Sequence, residues 1–272
     1  LVRRLNFCEW TDAATPWVDG DLWRACELAE LDVEELRDRP CFLALDLSSK
    51  RDLTALAAVW PAEDGTVDAA VWAWTPEDTL KERETKDQAP YGVWVDRGFL
   101  NAVPGRIIDY VYVAKFVAGL QKRFELAGLA FDTWRIEDFQ KALDEVGMEA
   151  FIYEGEEVVD GVGLLMMRHG QGTGGGASKE KNLWMPDSIN RLEELVMRGE
   201  LRVKKNPVLT WASASAVLHS DPAGNRKWEK RKSTGRIDAV VALSMAVGMA
   251  SASPDVEPAE SIYEEEELLV LG

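Results

Sequence analysis

The chain has 272 residues, 46% of them hydrophobic, with 48 acidic against 31 basic side chains and a formal net charge of −17. That length and apolar content support one sizeable core with appendages, and the acidic balance argues against a large electrostatic DNA-binding surface. Cys8, Cys26 and Cys41 lack CxxC spacing and are too few for a disulfide scaffold, which fits a reducing setting, and neither a membrane-spanning apolar run nor a signal-peptide pattern is present.

Residues 1–40 are rich in Trp, Asp and Glu and read as a connecting segment that packs on something. Asp21 is placed to cap a short helix through Ala29, and Asp32 another through Arg37, ended by Pro40. The start at Leu1, without Met, reads as a piece cut from a longer polypeptide. From Cys41 a run of strands is expected: 41–47, 53–60 and 67–74, with Ala62-Glu-Asp-Gly65 a hairpin turn, together a three-strand antiparallel meander. A short charged helix opens at Pro76. Residues 91–105 read as irregular, with 99–103 extended.

Ile107 to Leu126 carries apolar residues at helical spacing and is followed by Gly128. Leu129-Ala-Phe-Asp132 is then a short apolar strand, Ile136 to Val146 a helix, and 149–153 another strand. Strand, helix, strand, helix, strand after a meander is an α/β layout with parallel additions to a mixed sheet. Residues 155–182 are the least regular. Their Gly170-Gln-Gly-Thr-Gly-Gly-Gly176 run lacks the Gly-Lys-Ser/Thr of a phosphate-cradling loop and reads as a loop. A helix follows over 186–198, then a strand at 201–203, a helical stretch into Leu218, a basic run at 226–232, and an apolar helix from Ile237 to Ala250. The acidic tail 251–272 has too little apolar surface to offset its ordering entropy. On composition, 41–250 holds the fold, with 1–40 and 251–272 dispensable for it.

Three carboxylates intrude into hydrophobic segments: Asp46 at the first strand, Asp132 at the end of a later strand, and Asp238 at the start of the apolar helix. A buried charge costs several kcal/mol unless paired. Asp46 therefore tips into a solvated cleft, binds a cation, or caps the turn at Ser48 and Ser49, and Asp238 in a first helical turn favours the helix dipole. Taken together, acids on separate rigid elements meet the need of phosphodiester hydrolysis for two Mg²⁺ or Mn²⁺ ions. His169 and His219 have no HExxH or HxH companion and read as surface histidines; Asp160 and Asp221 read as turn residues.

The ordered set Ala44-Leu-Asp46-Leu-Ser-Ser-Lys-Arg-Asp52-Leu-Thr, Ala130-Phe-Asp132-Thr-Trp, Asn206-Pro-Val-Leu-Thr-Trp211 and Arg236-Ile-Asp238-Ala-Val-Val-Ala-Leu-Ser-Met-Ala resembles the nuclease domain of tailed-phage terminase large subunits. Tyr91-Gly-Val-Trp94, Val103-Pro-Gly105 and Gly170-Gln-Gly172 fit the same pattern, and the resemblance spans about 41–250. It implies an RNase H-like mixed β-sheet flanked by helices. Asp46, Asp132 and Asp238 would be the catalytic, metal-binding triad, with Asp52 a supporting carboxylate and two divalent cations as cofactors. It also implies an endonuclease acting on concatemeric double-stranded DNA at initiation and termination of viral packaging, in the host cytoplasm at the procapsid portal. The small terminase subunit and the capsid portal would be partners, with no membrane. Residues 1–40 would then lead in from a missing ATPase domain, and no GxxxxGK[ST] occurs in the chain. Where relatives often carry Asn, four residues after the tryptophan matching Trp211, this chain has Ser215.

Lys179, Lys181, Arg226, Lys227, Lys230, Arg231, Lys232 and Arg236 are the candidate contacts to the DNA backbone. The competing readings are an RNase H-like junction resolvase or RNase, which would work without a Trp-rich lead-in, and a non-catalytic docking module of the packaging motor, against which the intact triad argues.

Overall fold

The computed structural model describes residues 16–47, 53–132, 136–153, 163–174 and 183–252. Its centre is the expected meander. Strand β2 (Cys41–Leu47) pairs antiparallel with β3 (Thr54–Pro61), and β3 with β4 (Val67–Pro76). The turn between β3 and β4 closes through the Ala62 N–H to the Thr66 carbonyl at 2.8 Å, with Gly65 at φ +83°, a left-handed conformation that glycine adopts without cost. Beyond β2 the sheet continues in parallel through β6 (Leu126–Phe131), β8 (Leu164–Gly170) and β7 (Ala150–Ile152). On the far side of β4 come β10 (Leu201–Lys204) and the two-residue β1 (Glu27–Leu28), and the short strands β5 (Asn101–Val103) and β9 (Leu183–Trp184) flank β4 and β8. The mixed α/β class expected from the sequence is therefore present.

Alternation along β2 explains the layering. Phe42 and Ala44 face one core; Cys41, Leu43, Leu45 and Leu47 face the other. On the second face lie α4 (Tyr110–Gln121), capped by Asp109 through the Val111 N–H, and α5 (Ile136–Glu145). On the first lie α1 (Gly20–Cys26), α6 (Met185–Arg198), α7 (Pro207–Ser215) and α8 (Asp238–Ala252). Helix α8 is apolar all round and buried along almost its whole length, as such a helix must be. Small residues beneath it, Ala44, Ala55, Ala57 and Ala130, let it lie close against the sheet. The charged helix expected after Pro76 is α2 (Leu80–Asp87).

Four expectations need correction. Residues 91–96 form a helix, α3, because Tyr91 and Trp94 pack with Trp211 and Glu84 of α2 accepts the Gly92 N–H at 2.7 Å. Within 155–182, residues 164–170 form a full strand, inserted between β6 and β7. The basic run is not all loop: β12 (Arg226–Trp228) pairs with β11 (Leu218–Ser220) in a hairpin. The lead-in helix is capped by Asp19 rather than Asp21 and ends at Cys26.

The described part of the lead-in is also no appendage. Trp17, Trp23 and Cys26 belong to the core under α8, and β1 extends the sheet. Arg39 joins the two regions by sharing buried Asp68 with Arg202, which binds it through two hydrogen bonds of 2.8 and 2.7 Å. From Trp17 onward the described lead-in thus packs into the same core as the strands that follow it. Cys26 and Cys41 are free and buried, and burial pushes both thiols up, that of Cys26 to about 11, which disfavours the reactive thiolate.

Candidate metal centre

The parallel register of β2 and β6 ends with Leu45 opposite Phe131, and Asp46 and Asp132 are the next residues on the two neighbouring strands. Alternation places Asp46 on the same face as Ala44, and Asp132 on that of Ala130, the face covered by α8. Asp238 is the first residue of α8. Three elements remote in sequence thus bring their acids toward one end of the sheet. Asp46 and Asp238 are buried and Asp132 is half-buried.

Between the two buried acids lies Lys230. Its Nζ donates to Asp46 Oδ2 at 2.8 Å and to Asp238 Oδ1 at 2.9 Å. Desolvation pulls the ammonium pKa down, but the charges of Asp238 and Asp46 and the two hydrogen bonds outweigh it and hold Lys230 above its ordinary value. From the end of β8, the Gln171 amide reaches toward Asp46 Oδ1 at a long 3.5 Å. Gln171, Met185, Lys227, Trp228 and Lys230 line a groove beside the bridge. Among the described residues no three His, Cys, Asp or Glu side chains close on a single point, so the three acids do not form a compact cluster here.

Packing on both sides fixes the segment that carries Lys230 and Asp238. On one side Trp228 donates its Nε1–H to Ser244 of α8 at 3.1 Å and meets Trp17 edge-on at 5.2 Å. On the other, Gly235 lies so close to α7 that a Cβ there would fall 2.6 Å from Trp211 Cζ2 and 2.7 Å from Ser215 Oγ. The small Ser215 side chain is what this approach leaves room for.

The remaining candidates are scattered. Arg226 forms a bidentate pair with Glu193 at 2.8 and 2.7 Å, and Arg236 donates to Asp87 at 3.2 Å. Lys227 is half-buried in β12, while Arg231 and Lys232 are exposed. Asp52, Lys179 and Lys181 lie outside the described residues, as does Asp160. Sequence reasoning placed Lys230 among the DNA contacts and did not foresee its bridge; Gln171 was signalled only by the Gly170-Gln-Gly172 match. His169 is not on the surface but buried under α8 against Ser188, 2.8 Å away, because β8 runs through the sheet. His219 is exposed, and Asp221 accepts the Ala223 and Asn225 N–H groups in a turn, as expected.

The family model described as "Terminase large subunit, endonuclease domain" matches residues 1–159 and 177–254. The chain belongs to this family. The terminase large subunit of Enterobacteria phage HK97 is 36% identical over 249 residues, covering 92% of this chain and 44% of that protein. Protein YmfN of Escherichia coli K12 is 24% identical over 259 residues, covering 91% of this chain and 51% of its own length. The crystal structure of the HK97 large terminase superposes with a TM-score of 0.72 over 91% of this chain and 46% of that one. This terminase endonuclease domain thus spans about half the length of the relatives it matches, and its fold is the RNase H-like one that the sequence resemblance implied.

Proposed function

We propose that this endonuclease domain uses divalent cations to hydrolyse phosphodiester bonds of concatemeric double-stranded DNA when viral packaging starts and ends. The observation that carries the reading is the meeting of two buried acids from separate elements, Asp46 and Asp238, on one cationic group, beside the strand that Asp132 directly follows. Carboxylate oxygens are hard donors suited to Mg²⁺ or Mn²⁺, and a positive charge already stands between two of them, so the residues fit a metal. Asp46, Asp132 and Asp238 would hold two such ions, with Asp52 supporting them from outside. When bound, the ions supply charge stabilisation at the phosphate and a more acidic water.

The protein's own share is placement. Two of the acids are fixed on a buried strand and a buried helix, so little reorganisation remains when substrate arrives. The Gln171 amide orients Asp46. Exposed Arg231 and Lys232 are best placed to meet the DNA backbone. Arg226 and Arg236, committed to Glu193 and Asp87, would serve it by anchoring the hairpin and the segment before α8, with Lys179, Lys181 and Lys227 as further contacts. Residues 1–40 would connect to an ATPase domain, and the small terminase subunit and the portal would deliver DNA in the host cytoplasm.

The test is nicking of supercoiled plasmid across a Mg²⁺ or Mn²⁺ titration. Asp46→Asn, Asp132→Asn and Asp238→Asn should each lower the rate by more than the ~10–100-fold that outer-sphere changes cost, and Asp52→Asn by less. Any triad variant that keeps wild-type cleavage at saturating metal removes that residue from the role.

A further inference from the structure

We propose that Lys230 is an internal cation that holds the site closed, and that metal enters by exchange with its ammonium; this rests on the metal-centre reading above. The Asp46 and Asp238 side chains are only 3% and 6% exposed, whereas that of Lys230 is 42% exposed. The ammonium therefore sits among buried oxygens while its stem runs along the surface, and it can leave into water without opening the core. Residues 229–234 lie between the two anchors, Trp228 on Ser244 and Gly235 against Trp211, so the acids can stay in place while Lys230 moves.

Electrostatics gives the arrangement a purpose. Two carboxylates this close to one point repel each other unless a positive charge lies between them. Lys230 supplies that charge when no metal is bound. The ammonium and a divalent ion carry the same sign and seek the same oxygens, so both cannot occupy the place together. Apparent metal affinity is then the intrinsic affinity multiplied by the fraction of molecules in which Lys230 has withdrawn.

The experiment measures Mn²⁺ binding by calorimetry and thermal unfolding with and without Mn²⁺, for wild type, Lys230→Met, Lys230→Arg and the double variant Lys230→Met/Asp238→Asn. Lys230→Met should bind Mn²⁺ about tenfold more tightly. Its metal-free melting temperature should fall by several degrees and recover in the double variant, which removes the repulsion. Lys230→Arg keeps the charge and should bind no more tightly than wild type. A Lys230→Met protein that folds only with Mn²⁺ would support exchange equally. Mn²⁺ binding that is unchanged or weaker in Lys230→Met overturns exchange and leaves the metal centre standing. Absence of Mn²⁺ binding in wild type and in Lys230→Met alike overturns the metal-centre reading, and exchange with it.

Discussion

His169 shows how one buried side chain ties stability to pH. Ser188 donates its hydroxyl hydrogen to the Trp184 carbonyl at 3.2 Å, which leaves the His169 Nε2–H to donate to Ser188. Burial pushes the imidazole down from 6.5 to about 4, with the Gly170 backbone opposing the shift. Between those values the unfolded chain binds a proton that the folded one refuses, so stability is full above about 6.5 and is lost as pH falls toward 4. By pH 5 the loss from this group is about 2 kcal/mol. Denaturant melts at pH 7 and pH 5 check it: His169→Gln should flatten the dependence, and an equal loss in wild type and variant would clear His169 of the role. The same residue marks a limit of sequence reading. A lone histidine beside a glycine-rich run carries no sign of burial; only the strand that contains it does. The acids were legible because a carboxylate inside an apolar run is costly. Lys230 was not, because a lysine in a basic run is ordinarily solvated.

Among the elements, those with a strong local period were foreseen: the meander, α4, α5, α6 and α8. Strand β8 was missed because Leu164-Leu-Met-Met-Arg-His-Gly170 lacks β-branched and aromatic residues and becomes a strand only by pairing between β6 and β7. Helix α3 was missed because its six residues include Gly92, Val93 and Val95, poor helix formers held by contacts with Trp211 and Glu84. The segment before α8 makes a sharper case, since its glycine is demanded by another element. Gly235→Ala would push a Cβ into buried Trp211 and Ser215, at an expected cost of about 1–3 kcal/mol. A displacement near 1 Å at a catalytic group can cost ~10²-fold in rate, so nicking should suffer more than folding does. Melting temperature and cleavage rate measured together decide this, and an alanine variant unchanged in both would mean that the segment yields without moving Asp238.

At the scale of the molecule, the proposed function asks a chain of net charge −17 to admit a polyanion. The strongest local cations are partly spoken for: Lys230 by Asp46 and Asp238, Arg226 by Glu193, Arg236 by Asp87. On the proposed function, that leaves exposed Arg231 and Lys232 as the expected backbone contacts. Reversing both to Glu, with Lys230 untouched, should weaken DNA binding and flatten its salt dependence by about one unit of slope for each phosphate no longer neutralised. An unchanged slope would place the DNA elsewhere. The lead-in was legible as a segment that packs but not as part of the core, because a Trp-rich stretch does not disclose which surface it covers; Trp17, against Trp228 and the Ser213 carbonyl, ties it to the hairpin beside the site. Everything functional here turns on the three acids being a metal site. Anomalous scattering from crystals grown with Mn²⁺ tests that most directly. Manganese peaks should appear among Asp46, Asp132 and Asp238, with the Lys230 ammonium withdrawn. Crystals saturated with Mn²⁺ that show no peak there, and Lys230 still bridging Asp46 and Asp238, would contradict it.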